Sequence, residues 1–81
     1  MWIEVETQKD IKIKIDTDLM AVLTEPEEYT SFFYEWFTRK ELKSWSFECV
    51  VGGIKVYFIR DTVNEINAIY NTLHSFKQMK D

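Results

Sequence analysis

Cysteine, proline, glycine and histidine are scarce in this 81-residue chain, which has one Cys, one Pro, two Gly and one His. The lone Cys49 forms no intramolecular disulfide and offers no paired ligand set for zinc. Two glycines leave no glycine-rich loop for phosphate. The acidic segments DTD and EPEE lack the alternating oxygen ligands and the central Gly of a calcium loop. We therefore expect neither a metal nor any other cofactor.

Long apolar runs are also lacking, and none reaches the length of a membrane span. The segment MWIEVETQKD has no basic stretch followed by an apolar one, which a secretory signal would need. With the single cysteine, this favours a reduced, cytoplasmic protein. We expect one compact domain over residues 1–81. Its aromatic content of 16% compensates for a thin core, because each ring can bury roughly 150–250 Å².

Basic residues are missing from one long stretch. Six acids and neither Lys nor Arg lie between Ile15 and Thr38, and the net charge of the chain is −4. An acidic balance argues against direct binding to a nucleic-acid backbone, which needs a basic surface, and against an anionic membrane. A partner with a basic surface fits this charge better.

Alternating apolar residues predict a first β-hairpin within residues 3–15. Pairing Thr7 with Ile11 puts the apolar side chains on one face and leaves residues 8–10 as the loop. The same register places two opposite-charge pairs on the outer face: Glu6 with Lys12, and Glu4 with Lys14.

The segment SFECVVGGIKVYFI predicts a second hairpin, because a Gly-Gly pair between two β-rich runs supplies positive φ for a tight turn. Pairing Val51 with Ile54 gives an entirely apolar inner face: Trp45, Phe47, Cys49, Val51, Ile54, Val56 and Phe58. The outer face is mixed: Ser46, Glu48, Val50, Lys55, Tyr57 and Ile59.

A helix is predicted to begin near Thr24, where Glu27 completes a capping box and Pro26 is tolerated in the first turn. It would continue through YTSFFYEWF, which holds six aromatic residues in nine positions. On a helical wheel, five of these rings lie within about 140°, as expected of a stripe packed on a sheet: Tyr29, Phe32, Phe33, Trp36 and Phe37. Tyr34 falls about 60° outside this stripe.

A last helix is predicted to begin at RDTVNE, capped by Asp61 or Thr62 with Glu65. One apolar arc would face the core: Val63, Ile66, Ile69, Tyr70, Leu73 and Phe76. Residues 18–23 are interpreted as a short helical turn. The predicted fold is therefore α+β, a four-stranded antiparallel sheet of two hairpins in ββαββα order, with two helices packed on one face.

Catalytic groups are not indicated. His74, the only histidine, lies at the margin of the last helix's apolar arc, and Cys49 alternates inward as a buried thiol. Ser44 and Ser46 have no glycine-elbow context. We expect no enzymatic activity.

Three functional hypotheses remain. The first is a small acidic protein-binding module. Compact acidic chains rich in Ile, Lys, Asn and Tyr are typical of phage and mobile elements, which use them as anti-CRISPR-like inhibitors or nucleic-acid mimics against host enzymes and defence nucleases. The predicted binding residues are Asp16, Asp18, Glu25, Glu27, Glu28, Tyr34, Val50, Tyr57 and Ile59.

The second hypothesis is a small-molecule or nucleotide pocket between sheet and helices, although close packing leaves little room for a cavity in 81 residues. The third is a homodimeric structural subunit that uses the exposed face of Val50, Tyr57 and Ile59.

Overall fold

The computed structural model describes residues 1–79 and consists mainly of β-strands, which take up about 60% of the chain. The strands are β1 Trp2–Gln8, β2 Ile11–Asp16, β3 Met20–Leu23, β4 Glu27–Glu35, β5 Thr38–Val51 and β6 Ile54–Arg60. A 3-10 turn spans Thr17–Leu19, and the one α-helix of the described residues, α1, spans Val63–Met79.

Two antiparallel sheets replace the predicted single sheet. β1 and β2 form a two-stranded sheet, and β3 to β6 form a four-stranded sheet centred on β5. β3 and β4 follow one another along one edge of β5, while β6 pairs along the other edge. The predicted fold, two helices on a four-stranded sheet in ββαββα order, is therefore wrong.

The first predicted helix is a strand. Residues 27–35 form β4, which pairs with the first half of β5, so residues 38–44, which lie between the predicted helix and the second hairpin, are also strand. The Thr24 hydroxyl does not cap a helix. It accepts a hydrogen bond from the Glu48 amide at 2.8 Å and donates one to the Glu48 carbonyl at 3.2 Å. Pro26 lies in the break between β3 and β4, where its missing N–H costs no ladder bond.

The two predicted hairpins are present. Val51 pairs with Ile54, and the intervening Gly52 and Gly53 have φ of 59° and 82°, as a primed turn requires. In the β1–β2 hairpin, the pairs Glu6–Lys12 and Glu4–Lys14 are confirmed. The register shifts after Glu6, so Gln8 rather than Thr7 pairs with Ile11.

The C-terminal helix is confirmed, with Thr62 as its cap. The Thr62 hydroxyl accepts a hydrogen bond from the Glu65 amide at 3.4 Å. Ile66 and Leu73 are buried, while Val63 at the start of the predicted arc is exposed. The helical turn predicted at residues 18–23 is partly right, since a 3-10 turn ends at Leu19 and β3 follows.

The core lies between the second half of the four-stranded sheet, α1 and the β1–β2 hairpin. Its fully buried members include Phe47 and Phe58, whose rings stack with centroids 4.8 Å apart, and Cys49. The Tyr70 ring meets Phe47 edge-on at 5.6 Å. Seven buried hydrophobic residues form this core: Ile15, Met20, Phe47, Cys49, Phe58, Ile66 and Leu73.

Arg60 joins the parts of the core. Its guanidinium is buried and donates hydrogen bonds to the carbonyl oxygens of Thr7 and Ile59, at 2.8 and 2.6 Å, and to that of Glu6. The Glu6 and Glu65 carboxylates lie 3.7 and 3.9 Å from it. These bonds hold the β1–β2 hairpin against β6 and the start of α1.

The molecule is elongated, with extents of 51 × 20 × 19 Å. The distal part of the β4–β5 ribbon, residues 29–44, has no further strand on either edge and projects from the core. We call it the arm. Its length explains a radius of gyration of 14.7 Å, where a compact chain of this size has about 12 Å.

Candidate protein-binding surface

The arm carries the aromatic segment that the sequence indicated, but its rings are exposed rather than buried. A two-stranded ribbon has no layer to cover either face, so side chains on both faces remain in contact with water. Tyr34 is 75% exposed, and Phe32 and Phe33 are about half exposed. The predicted core stripe of five rings is therefore wrong, whereas Tyr34, which the helical wheel placed outside that stripe, is exposed as that placement implied.

The turn of the arm, Trp36-Phe37, is its most unusual feature. Both residues have positive φ, at 52° and 61°, a region that bulky side chains seldom occupy. Trp36 is 89% exposed and Phe37 is fully exposed. Two large rings thus stand at a turn whose backbone favours Asn-Gly.

The outer face of the four-stranded sheet carries a strip of apolar side chains with polar residues between them. In a sheet, side chains at paired positions share one face, so the register places six apolar residues, each paired with a polar one, on the face opposite the core. This outer strip consists of Tyr29, Phe33, Leu42, Val50, Tyr57 and Ile59. The predicted binding residues Val50, Tyr57 and Ile59 thus lie together, and the arm extends their surface. Val50 and Ile59 are half-buried and the other four are exposed.

An acidic groove of about 390 Å³ adjoins this strip where β3 gives way to β4. Its defining residues are Glu25, Glu27, Glu28, Glu48, Tyr29 and Tyr57. The hydrogen bonds between Thr24 and Glu48 set its shape, because they hold the break between the two strands against β5. The Glu28 carboxylate lies 3.8 Å from the Lys43 ammonium. The four acids that line the groove therefore have this one base beside them.

The predicted acids do not form one patch. Glu25, Glu27 and Glu28 line the acidic groove, whereas Asp16 and Asp18 lie near the Gly52-Gly53 turn, where the Leu19 carbonyl accepts a hydrogen bond from Gly52. There both carboxylates bind the Met1 amino group, at 3.1 and 2.9 Å. Hydrogen bonds to Asp18, and then to Asp16, raise the pKa of this amino group.

Tyr34 is separated from both groups of acids. It lies on the arm face opposite the outer strip, paired with Arg39, whose guanidinium stacks 4.0 Å over the Phe32 ring. From the sequence, Glu48 was assigned to the outer face of the second hairpin but not to the predicted binding residues, and Tyr29, Phe33 and Leu42 were not predicted as surface residues. Only recognition of β4 as a strand could have identified these last three residues.

The side chains with catalytic potential occupy structural positions. Burial raises the pKa of the Cys49 thiol to about 11, which disfavours the reactive thiolate. His74 stacks on Tyr70 with ring centroids 5.6 Å apart, and its Nε2 lies 3.2 Å from Gln78 Nε2. Among residues 1–79, no three His, Cys, Asp or Glu side chains are placed to share a metal ion.

A depression of about 930 Å³ surrounds Arg60, and it is large enough for the small molecule or nucleotide of the second hypothesis. Arg60 is already bound to three carbonyl oxygens, and its neighbours there include Glu6, Asp10, Asp61 and Glu65. Among the described residues, Lys9 is the one further base that lines the depression, so its four acids outnumber its two bases, and this excess of negative charge disfavours a phosphate. The geometry therefore gives the nucleotide hypothesis no support.

Comparison of the chain with protein-family models, curated proteins and solved structures found no match. In the part of the chain that is described, no helix combines the length and the apolar character needed to cross a membrane.

Proposed function

We propose that this chain is a non-catalytic protein-binding module whose partner presents a Lys or Arg side chain beside an apolar surface. The cation would enter the acidic groove, and the apolar surface would cover the outer strip. The observation that carries the proposal is the adjacency of the two features, since Tyr29 and Tyr57 belong to both.

Charge and ring chemistry support a cationic guest. Four carboxylates with one neighbouring ammonium give the groove and its surroundings a charge of −3. Tyr29 and Tyr57 line the groove, and a cation held over an aromatic ring gains about 0.5–2 kcal/mol. Complementary charge mainly speeds encounter and fixes orientation, so the outer strip must supply much of the affinity.

The outer strip has the size of a functional patch. Its three rings and Leu42 are each about half exposed. Rings of this size remove roughly 150–250 Å² from water when buried, so the exposed part is on the order of 300 Å². Patches of about 300–600 Å² on small proteins are often functional.

The inhibitor hypothesis is a finer form of this proposal. An enzyme that binds an anionic substrate through Lys and Arg offers such a basic surface, and an acidic groove on this chain would compete for it. The lone, buried Cys49 agrees with a reduced, cytoplasmic setting for this interaction.

The test is partner capture with charge-matched baits. The groove variant Glu25→Lys/Glu27→Lys and the control Glu35→Lys/Glu41→Lys change net charge equally, and all four residues are exposed. We expect a partner that binds wild type and the control but not the groove variant. Equal loss of partner binding in both variants would contradict a role for the groove and indicate that binding depends on net charge alone.

A direct titration complements the capture. The probe is an amidated tripeptide with arginine between two leucines, followed by NMR. We expect weak binding with shifts concentrated at Tyr29, Glu48 and Tyr57. Shifts spread evenly over the acidic surface would contradict a defined groove.

A further inference from the structure

Two exposed apolar features of the molecule lie at opposite ends of one strand. β5 begins at Thr38, next to the Trp36-Phe37 turn, and ends at Val51, next to the Gly52-Gly53 turn. Its 14 residues span about 45 Å at 3.3 Å each. The ring pair at one end therefore cannot reach the other end of its own chain.

An apolar groove of about 370 Å³ lies at the far end, between the β1–β2 hairpin and the β5–β6 turn. Trp2, Leu19 and Ile54 form its rim and are each more than half exposed. Val51 and Val56 line it as well. The volume is at the lower end of the range for ligand pockets, which suits a ring-bearing turn.

We propose that two copies of this chain pair antiparallel, and that each inserts its Trp36-Phe37 turn into the apolar groove of the other. Antiparallel alignment brings both ends together at once, so a two-fold axis closes the assembly and no free end remains. The inference uses neither the acidic groove nor its carboxylates, and it stands or fails separately from the proposed function.

The area is sufficient for a stable dimer. Trp36 and Phe37 together offer roughly 300–500 Å² per turn. With an equal area from the groove, and two such contacts, the total is about 1,200–2,000 Å², the range of standard protein interfaces.

Charge does not oppose the pairing locally, although each chain carries a net charge of −4. The strand ends beside the turn hold two acids and two bases: Glu35, Glu41, Arg39 and Lys40. The groove surroundings hold Asp16 and Asp18 against Lys14 and the Met1 amino group. Both contact regions are thus neutral.

The positive φ of both turn residues supports a role for their rings. Backbone strain in bulky residues persists mainly where function retains it, and Asn-Gly would satisfy the same turn without strain. The variant Trp36→Asn/Phe37→Gly therefore removes the rings while keeping the turn.

The experiment is sedimentation equilibrium of the full chain in the analytical ultracentrifuge, from micromolar to sub-millimolar concentration. We expect wild type to show twice the 9.8 kDa chain mass. Two variants should each raise the dissociation constant at least about 100-fold: the turn variant Trp36→Asn/Phe37→Gly and the apolar-groove variant Ile54→Asp. The control Tyr57→Ser, on the outer strip, should leave it unchanged.

A mixture of the two variants distinguishes the proposed contact from other modes of dimerisation. Ile54→Asp chains keep their turns, and Trp36→Asn/Phe37→Gly chains keep their grooves, so an equimolar mixture regains one contact and associates more tightly than either variant alone. A wild-type chain that stays monomeric would overturn the proposal. So would a dimer that survives loss of the turn rings, or oligomers that lengthen steadily with concentration.

Discussion

Replacing Trp36-Phe37 by Asn-Gly should stabilise the folded monomer, although it removes two of the largest side chains. Both residues have left-handed backbone conformations, which cost an L-residue about 1–2 kcal/mol each. The rings are almost fully exposed in the monomer, so their loss removes little buried area. The new glycine offsets part of this gain, because it raises the entropy of the unfolded chain and so lowers stability by about 0.4–1 kcal/mol.

The expected net gain is about 1–2 kcal/mol, and each kcal/mol raises Tm by about 4–8 °C in a domain of this size. Urea unfolding should be measured at a concentration where the chain is monomeric. The arm can open without unfolding of the core, so hydrogen exchange of the Glu35 and Thr38 amides should be followed in the same samples.

The matched control is Trp36→Ala/Phe37→Ala. It removes the same rings but leaves a Cβ at both strained positions, so its stability should stay close to that of wild type. If these rings were packed in a core, the loss would be about 3–5 kcal/mol for each ring. A loss of that size in either variant would refute the exposed turn.

Three further perturbations test the core and its links to the hairpins. Phe58→Ala should cost about 3–5 kcal/mol in urea unfolding, because the ring is fully buried and stacks on Phe47; a loss below 1 kcal/mol would contradict that burial. Arg60→Met should cost about 1–3 kcal/mol by removing the donor to partly buried carbonyl oxygens, whereas Lys12→Met, in an exposed ion pair, should change the unfolding free energy by less than about 1 kcal/mol. Because burial raises the pKa of the Cys49 thiol to about 11, its contribution to stability is present below the unfolded pKa near 9 and is lost as pH rises through the folded value. Wild type should therefore lose more stability than Cys49→Ala between pH 9 and 11, and equal losses would contradict the burial.

The predictable parts of the fold are those in which a particular backbone conformation requires particular residue types. Gly52-Gly53 marks the second hairpin because only glycine takes positive φ freely, and the register then follows from the apolar alternation. Thr62 and Glu65 mark the start of α1 in the same way.

The arm was not predictable by the same reasoning. Its turn has neither glycine nor asparagine, so nothing signals a hairpin at Trp36-Phe37. The rings of residues 29–37 fit a helical stripe, and their poor helix propensity and high β-propensity were the signals against it. An arm whose faces are both uncovered also shows no alternation between buried and solvated positions.

The candidate surface was only partly predictable for the same reason. The acids near Pro26 were identified from composition, and they do line a groove. Their separation from Asp16 and Asp18 depends on tertiary placement. Once residues 27–35 are a strand rather than a helix, Tyr29 joins Tyr57 and the hydrophobic strip lengthens along the arm.

The most direct test of the extended arm is a distance between spin labels at Thr38→Cys and Lys55→Cys in a Cys49→Ala background, diluted with unlabelled protein. Lys55 pairs with Val50, which lies twelve residues along β5 from Thr38. Pulsed electron–electron double resonance should therefore give a distance of about 40 Å between the labels. A helix folded back over the sheet would hold the two labels within about 25 Å, and that result would contradict the account.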